Sequence, residues 1–175
     1  MSSTSGSPIP VSALSALGRE DFVAALEGIF EHSPWVAEAA WVARPFADRD
    51  ALLLALIAAM QRAPHALQLA LIRAHPELAG RAAVRGELTE ESRGEQKGAG
   101  LDACSPAEFA HLQWLNASYN AKFGFPFILA VRGYDRAGII ERFAERLEHD
   151  QDAEFEEALG QIARIAALRL AERVA

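Results

Sequence analysis

The sequence predicts an all-α protein, a single-domain helical bundle of about seven to nine helices. Three observations carry that expectation. Alanine and leucine are abundant while there are only 8 prolines and 12 glycines, and both abundant residues lose little on entering a helix. Helix-start signals recur from one end of the chain to the other. No strand-turn-strand pattern and no internal repeat is visible.

Residues 1–12 read as a flexible tail, because Met1–Pro10 is rich in Ser and Pro and lacks the charged and apolar regions of a signal peptide. The remainder, 13–175, reads as one domain. Phe22, Ala25, Leu26, Ile29 and Phe30 share a helical face, which predicts a first amphipathic helix over roughly 19–31. Ser33-Pro34-Trp35 restarts a helix with Ser33 as N-cap and Pro34 at its first position. Asp48 caps an apolar helix running to about Arg62. Pro64 opens the next, which ends near Ala74 because a residue before proline avoids the αR region.

Glu77–Leu88 holds Gly80 and Gly86 without a clean period and reads mostly as loop. Thr89 begins a short polar helix that stops around Gly98–Gly100. Ser105-Pro106-Ala107-Glu108 is a capping box with proline at N1, and its helix runs through Leu112, Leu115 and Tyr119 towards Phe123. Phe125–Val131 is a short apolar run that periodicity assigns to neither strand nor helix. Gly138–His149 and Ala153–Arg173 supply the last two helices, the final one with an apolar face of Phe155, Leu159, Ile162, Ile165, Ala166 and Leu170.

Composition bounds the function. The 175 residues are 51% hydrophobic, with mean hydropathy +0.04, which suits one domain with a real core. The net charge of −7, from 24 acidic against 17 basic residues, and the lack of a basic stripe argue against nucleic acid as a partner. The longest apolar run, Ala51–Met60, is too short to span a bilayer, so no membrane role is expected. Cys104 is the only cysteine, so no intrachain disulfide forms. With no targeting signal, and with a C-terminus, Glu172-Arg173-Val174-Ala175, that is not a peroxisomal address, the expected compartment is the cytoplasm.

Among the five histidines, His75 stands out by position. It follows a helix end and precedes Pro76, where the helix dipole favours a protonated imidazole suited to proton donation or anion contact. By position alone it serves equally well as a C-terminal helix cap. Glu108-x-x-His111 is half of a di-iron motif, but no second copy exists and no His-Glu-x-x-His or cysteine pair is present, so no metal site is expected. No nucleophile elbow, Walker A loop or dinucleotide fingerprint occurs, and a solitary Cys104 before a helix is weak evidence for a nucleophile.

Ser92, Glu95 and Gln96 are spaced i, i+3, i+4 and share one helix face. A hydroxyl, a carboxylate and an amide there suit a ring rich in heteroatoms; the same spacing also describes a solvated surface helix. Asn116, Tyr119 and Asn120 precede the Phe127–Val131 run, which either lines a pocket with spare backbone groups or is plain core.

In combination these segments resemble the 2-oxo-4-hydroxy-4-carboxy-5-ureidoimidazoline (OHCU) decarboxylases. The matching pieces are Phe30-Glu31-His32-Ser33-Pro34-Trp35, His75-Pro76-Glu77-Leu78, and Ser92-Arg93-Gly94-Glu95-Gln96 with Ala99-Gly100-Leu101. Leu115-Asn116 through Tyr119 to Phe123-Gly124-Phe125-Pro126-Phe127, and Ile165–Leu170, complete the set in the same order, with no departure at the catalytic positions.

The resemblance implies an all-helical, homodimeric, cofactor-independent carboxy-lyase that makes (S)-allantoin from OHCU in urate breakdown. It makes His75 the catalytic acid and assigns Glu95 a catalytic part. Pro76, Ser92, Arg93, Gly94 and Gln96 would line the substrate site, with Phe127, Ile128, Leu129, Ala130 and Val131. Arg169 of the last helix matches a substrate-contacting arginine, with Arg164 a nearby competitor. The substrate's carboxylate sits on a carbon next to a C=N bond, so the electrons left by carbon dioxide have a sink within the substrate, and no cofactor is required. Other readings are a lyase or hydrolase of another ureido compound in the same pathway, an inert helical ligand-binding module, and a helical DNA-binding regulator, the last disfavoured by charge.

Overall fold

The computed structural model describes residues 7–175, which form ten α-helices and no strand. In order these are α1 (Val11–Ala16), α2 (Arg19–Ala25), α3 (Trp35–Ala40), α4 (Arg49–Arg62), α5 (His65–Ala74), α6 (Arg81–Arg85), α7 (Glu90–Gly98), α8 (Pro106–Phe123), α9 (Arg136–Leu147) and α10 (Gln151–Arg173). Among the described residues no single helix is long and apolar enough to cross a membrane. Residues 1–6 of the expected tail lie outside the described residues; after them Ile9 pairs its backbone with Arg173 and Ala175, and α1 begins at Val11.

The chain forms two compact units. The first comprises the described residues up to Gln68 together with Ala163–Ala175. Its buried side chains include Leu14, Phe22, Val36, Leu52, Leu56 and Leu170, with Phe22 stacked on Phe46 at 5.9 Å between ring centroids. The second is Leu69–Ile162, and its core is aromatic: Tyr119 meets Phe123, Phe125, Phe127 and Phe143 at 4.5–6.0 Å. Most of these contacts are tilted or edge-to-face, the arrangement the ring quadrupole favours.

Where a helix start rests on a capping side chain, expectation and structure agree. Asp48 accepts from the Ala51 N–H at 2.7 Å, Thr89 from the Ser92 N–H at 3.3 Å, and Ser105 and Glu108 form the reciprocal box. Three local readings need correction. The helix expected over 19–31 is α2 and stops at Ala25, because the chain turns through Gly28 at φ +83°, although Phe22, Leu26, Ile29 and Phe30 are buried as their face requires. Ser33 does not cap α3: its hydroxyl donates back to the Glu31 carbonyl at 2.9 Å, and the regular helix begins at Trp35. Within the stretch read as loop, α6 forms one short helix between Gly80 and Gly86, the latter closing it at φ +70°. Five residues are too few to show a helical period.

Phe125–Val131 resolves as neither strand nor helix. Gly124 at φ +75° ends α8; Phe125–Leu129 and Val131 are then buried without regular structure, and an exposed turn at Arg132 and Gly133 leads into α9. An irregular buried segment must place its backbone polar groups on side chains, and it does so here through residues of α9 and α10.

Candidate active site

The second unit contains His75, Pro76, Ser92–Gln96 and Phe127–Val131. His75 directly follows α5, its N–H bonded to the Ile72 carbonyl at 3.2 Å, and its side chain is buried, with 6% of the residue exposed. Burying an imidazole costs free energy unless its surroundings compensate, so a buried histidine at a helix end is more than a solvent-facing cap. Pro76 is half-buried and starts a tight turn that returns the chain towards α6.

On α7 the polar face is not a wet surface. Ser92 and Gln96 are 3% and 6% exposed, Glu95 is half-buried, and Arg93 and Gly94 face outward. Gln96 reaches the turn after His75: its Oε1 accepts from the Ala79 N–H at 2.9 Å and its Nε2 donates to the Glu77 carbonyl at 3.2 Å. Arg93 donates to the Leu88 carbonyl at 3.1 Å.

Phe127, Ile128, Leu129 and Val131 are buried and Ala130 is half-buried. Phe127 stacks on Phe143 at 3.9 Å, and the Arg146 guanidinium lies over the Phe127 ring, 4.4 Å from its centroid. Arg146 Nη1 donates to the Ile128 carbonyl at 2.5 Å, while the Ala130 N–H donates to Gln161 Oε1 at 3.0 Å. Arg146 is itself held by Glu154, which is fully buried and accepts from Nε at 3.0 Å and Nη2 at 2.8 Å. Tyr119 also donates to Glu154, and His149 Nδ1 lies 2.9 Å from it.

This network sets its own ionisation. Burial opposes charge on Glu154, but the hydrogen bonds from Arg146 and Tyr119, with the arginine's charge, prevail and hold its carboxyl below the usual range. Burial, reinforced by Glu154, pushes the Tyr119 phenol far up, so it stays a neutral donor. Sequence reasoning missed Arg146, Glu154 and Gln161. Nothing in their local spacing marks them: Arg146 and Gln161 act on backbone groups 18 and 31 residues away, and Glu154 joins Arg146 to Tyr119, 35 residues before it.

Arg169 falls in the first unit. It is buried and paired with Glu31 at 2.8 Å, and it also donates to the Gly28 carbonyl. Its competitor Arg164 is exposed. The di-iron half-motif is otherwise engaged: Glu108 accepts from Arg136 and from the Ser105 N–H.

With this geometry in place, comparison with known proteins is decisive. The family model for OHCU decarboxylase matches residues 15–171. The chain belongs to the OHCU decarboxylase family. It is 42% identical over 164 residues to the 2-oxo-4-hydroxy-4-carboxy-5-ureidoimidazoline decarboxylase of Halalkalicoccus jeotgali, covering 94% of this chain and 91% of that relative. The protein of the same name from Mus musculus is 40% identical over 152 residues, covering 87% and 85%. Among solved structures, a crystal structure of (S)-allantoin synthase superposes with TM-score 0.75 at 27% identity, over 95% of this chain and 54% of that one. A crystal structure of OHCU decarboxylase in the presence of (S)-allantoin shares the fold, with TM-score 0.68 at 21% identity, over 88% of this chain and 96% of that one. In this OHCU decarboxylase family member, the segments that carry the resemblance include both the His75 turn and the buried face of α7.

Proposed function

We propose that this chain decarboxylates OHCU to (S)-allantoin in urate breakdown. The observation that carries the reading is the burial of His75, Ser92 and Gln96, polar residues from separate segments, within one unit of an OHCU decarboxylase family chain. Buried polar groups are costly to keep, and a stable helical bundle does not require these.

The reaction breaks the bond between the hydroxyl-bearing ring carbon and its carboxylate. The electron pair moves into the adjacent C=N, and the hydroxyl carbon becomes a carbonyl. A proton is then delivered to the carbon that bears the ureido group, creating the stereocentre. The substrate supplies the electron sink, so the protein's part is orientation, charge stabilisation and a one-sided proton. His75 engages the hydroxyl-carboxylate end and manages the proton. Glu95 takes the ring and ureido N–H groups, assisted by Gln96, whose Oε1 has a second lone pair beyond the one used by Ala79. Ser92, Pro76, Arg93 and Gly94 complete that wall, and Phe127–Val131 adds a further lining from the same unit.

The test is to supply freshly generated OHCU, and separately allantoin, to the purified protein. One carbon dioxide and one allantoin per OHCU are expected, with allantoin itself unchanged. Consumption of allantoin, or release of urea from OHCU without carbon dioxide, would favour the other ureido-compound reading.

We infer further that the working unit is a homodimer, as the resemblance implies. Val84 and Phe109, 70% and 37% exposed, are large apolar side chains on the surface of the second unit, suited to cover by a second copy. Sedimentation should give twice the chain mass of 18.9 kDa, and Val84→Arg should halve it. A wild-type protein that sediments as a monomer at assay concentrations would contradict this.

A further inference from the structure

The turn that follows His75 is held more heavily than its length requires. Gln96 of α7 closes on the Glu77 carbonyl and the Ala79 N–H. From α8, Gln113 Nε2 donates to the Ala79 carbonyl at 2.8 Å, and Asn116 Nδ2 to the Leu78 carbonyl at 3.0 Å. Asn120 Nδ2 donates to the Glu77 side chain at 2.7 Å. Thus four side-chain amides from two helices engage three consecutive residues of the turn.

The backbone they hold is a strained one. Ala79 sits at φ +51°, a left-handed conformation that a residue with a Cβ rarely adopts. At Gly80 a Cβ would stand 2.6 Å from Glu77 Cβ, so the fold over the Glu77 side chain tolerates only glycine. Strain of this kind persists where the surroundings over-determine it, and it concentrates at functional sites. Asn116 adds an independent sign. Its Oδ1 is buried with no hydrogen-bond partner, a cost that a purely structural residue would not need to carry.

We propose that Gln113, Asn116 and Asn120 of α8, acting with Gln96, are positioning residues that fix the turn after His75 and thereby set where its imidazole acts on the substrate. Their three positions, i, i+3 and i+7, lie along one helix face, so one straight element sets the whole turn. Because Pro76 restricts the backbone between the histidine and the turn, a shift at Glu77–Ala79 is passed to His75. The inference rests on the assignment of His75 as the acid.

Two readouts test it on the full-length protein. The first needs no substrate: the imidazole signals of the five histidines are followed by heteronuclear NMR, with His75→Ala identifying the signal of interest. Asn116→Ala, Asn120→Ala and Gln113→Ala should each move the His75 signal and leave those of His32 and His65 in place. The second is turnover. Displacing a proton donor by about 1 Å lowers rate by up to ~100-fold, so kcat should fall about 10- to 100-fold for Asn116→Ala with KM nearly constant, and the allantoin formed should lose enantiomeric purity. Gln113 and Asn120 are only half-buried, so their variants carry the test if Asn116→Ala does not fold. Folded variants with an unmoved His75 signal, wild-type kcat and pure (S)-allantoin would overturn the proposal. If the wild-type protein did not turn over OHCU, the functional reading would fall, while the NMR result would still decide whether the amide row positions His75.

Discussion

His75→Ala is expected to keep its fold and lose roughly 10²- to 10⁴-fold in kcat, the range that a positioned acid contributes. The side chain is buried but lies at the end of α5 rather than in the aromatic core, so truncation removes chemistry before it removes stability. Stereochemistry should suffer with rate. Spontaneous protonation of the decarboxylated intermediate comes from either face, so residual product should be racemic. The check is a progress curve on a variant whose far-UV spectrum and melting temperature match the wild type. Full activity in that variant would remove His75 from the mechanism and leave Glu95 as the candidate acid.

The second large effect concerns stability. Glu154→Leu, or Arg146→Met, leaves one charge buried without its partner, and such truncations cost about 3–5 kcal/mol. The pair joined in Arg146→Met/Glu154→Leu should recover most of that loss, because two apolar side chains replace two desolvated charges. Recovery of stability should not restore activity in full, since the Ile128 carbonyl loses its donor and the Phe127–Val131 lining is released. Denaturant melts on the two single variants and the double variant give the coupling directly. Equal stability of all three with wild type would mean the network contributes nothing.

The same network sets a pH dependence whose sign follows from the lowered Glu154 carboxyl. A depressed native pKa stabilises the fold above the unfolded value, which is about 4.3 for glutamate, and that stabilisation is lost as pH falls through the native value. The wild type should therefore lose stability on acidification below about pH 4–5. The double variant should show a shallower decline, because Glu154 no longer takes up a proton on unfolding.

How much of this was legible in the chain depends on the range of the interactions. Helices α4, α7 and α8 are readable because Asp48, Thr89 and Ser105 cap them within three residues. The ends of α5 follow from Pro64 and Pro76, whose effect is also local. The failures share a cause: Ser33 prefers the Glu31 carbonyl and α2 yields to the turn at Gly28, choices made by the local turn rather than by residue preference.

At the site, His75 and the α7 face are visible as patterns, yet spacing alone cannot separate a buried polar face from a wet one. What decides it is that Gln96 closes on Glu77 and Ala79, 17–19 residues earlier. No short window contains that pairing, nor the grip of Arg146 on Ile128. Gln113 likewise reads as an ordinary surface amide until Ala79 is placed beneath it. Asn116 and Asn120 are noticeable as polar residues on one helix face, but their target is not.

The central claim is stereospecific decarboxylation, and the most direct measurement is the circular dichroism of allantoin formed from freshly generated OHCU. Allantoin racemises slowly, so its handedness records the catalysed step. With the protein present, the dichroic signal of (S)-allantoin should rise as OHCU disappears, at a rate proportional to protein concentration. Racemic allantoin appearing at the rate seen without protein would contradict the account.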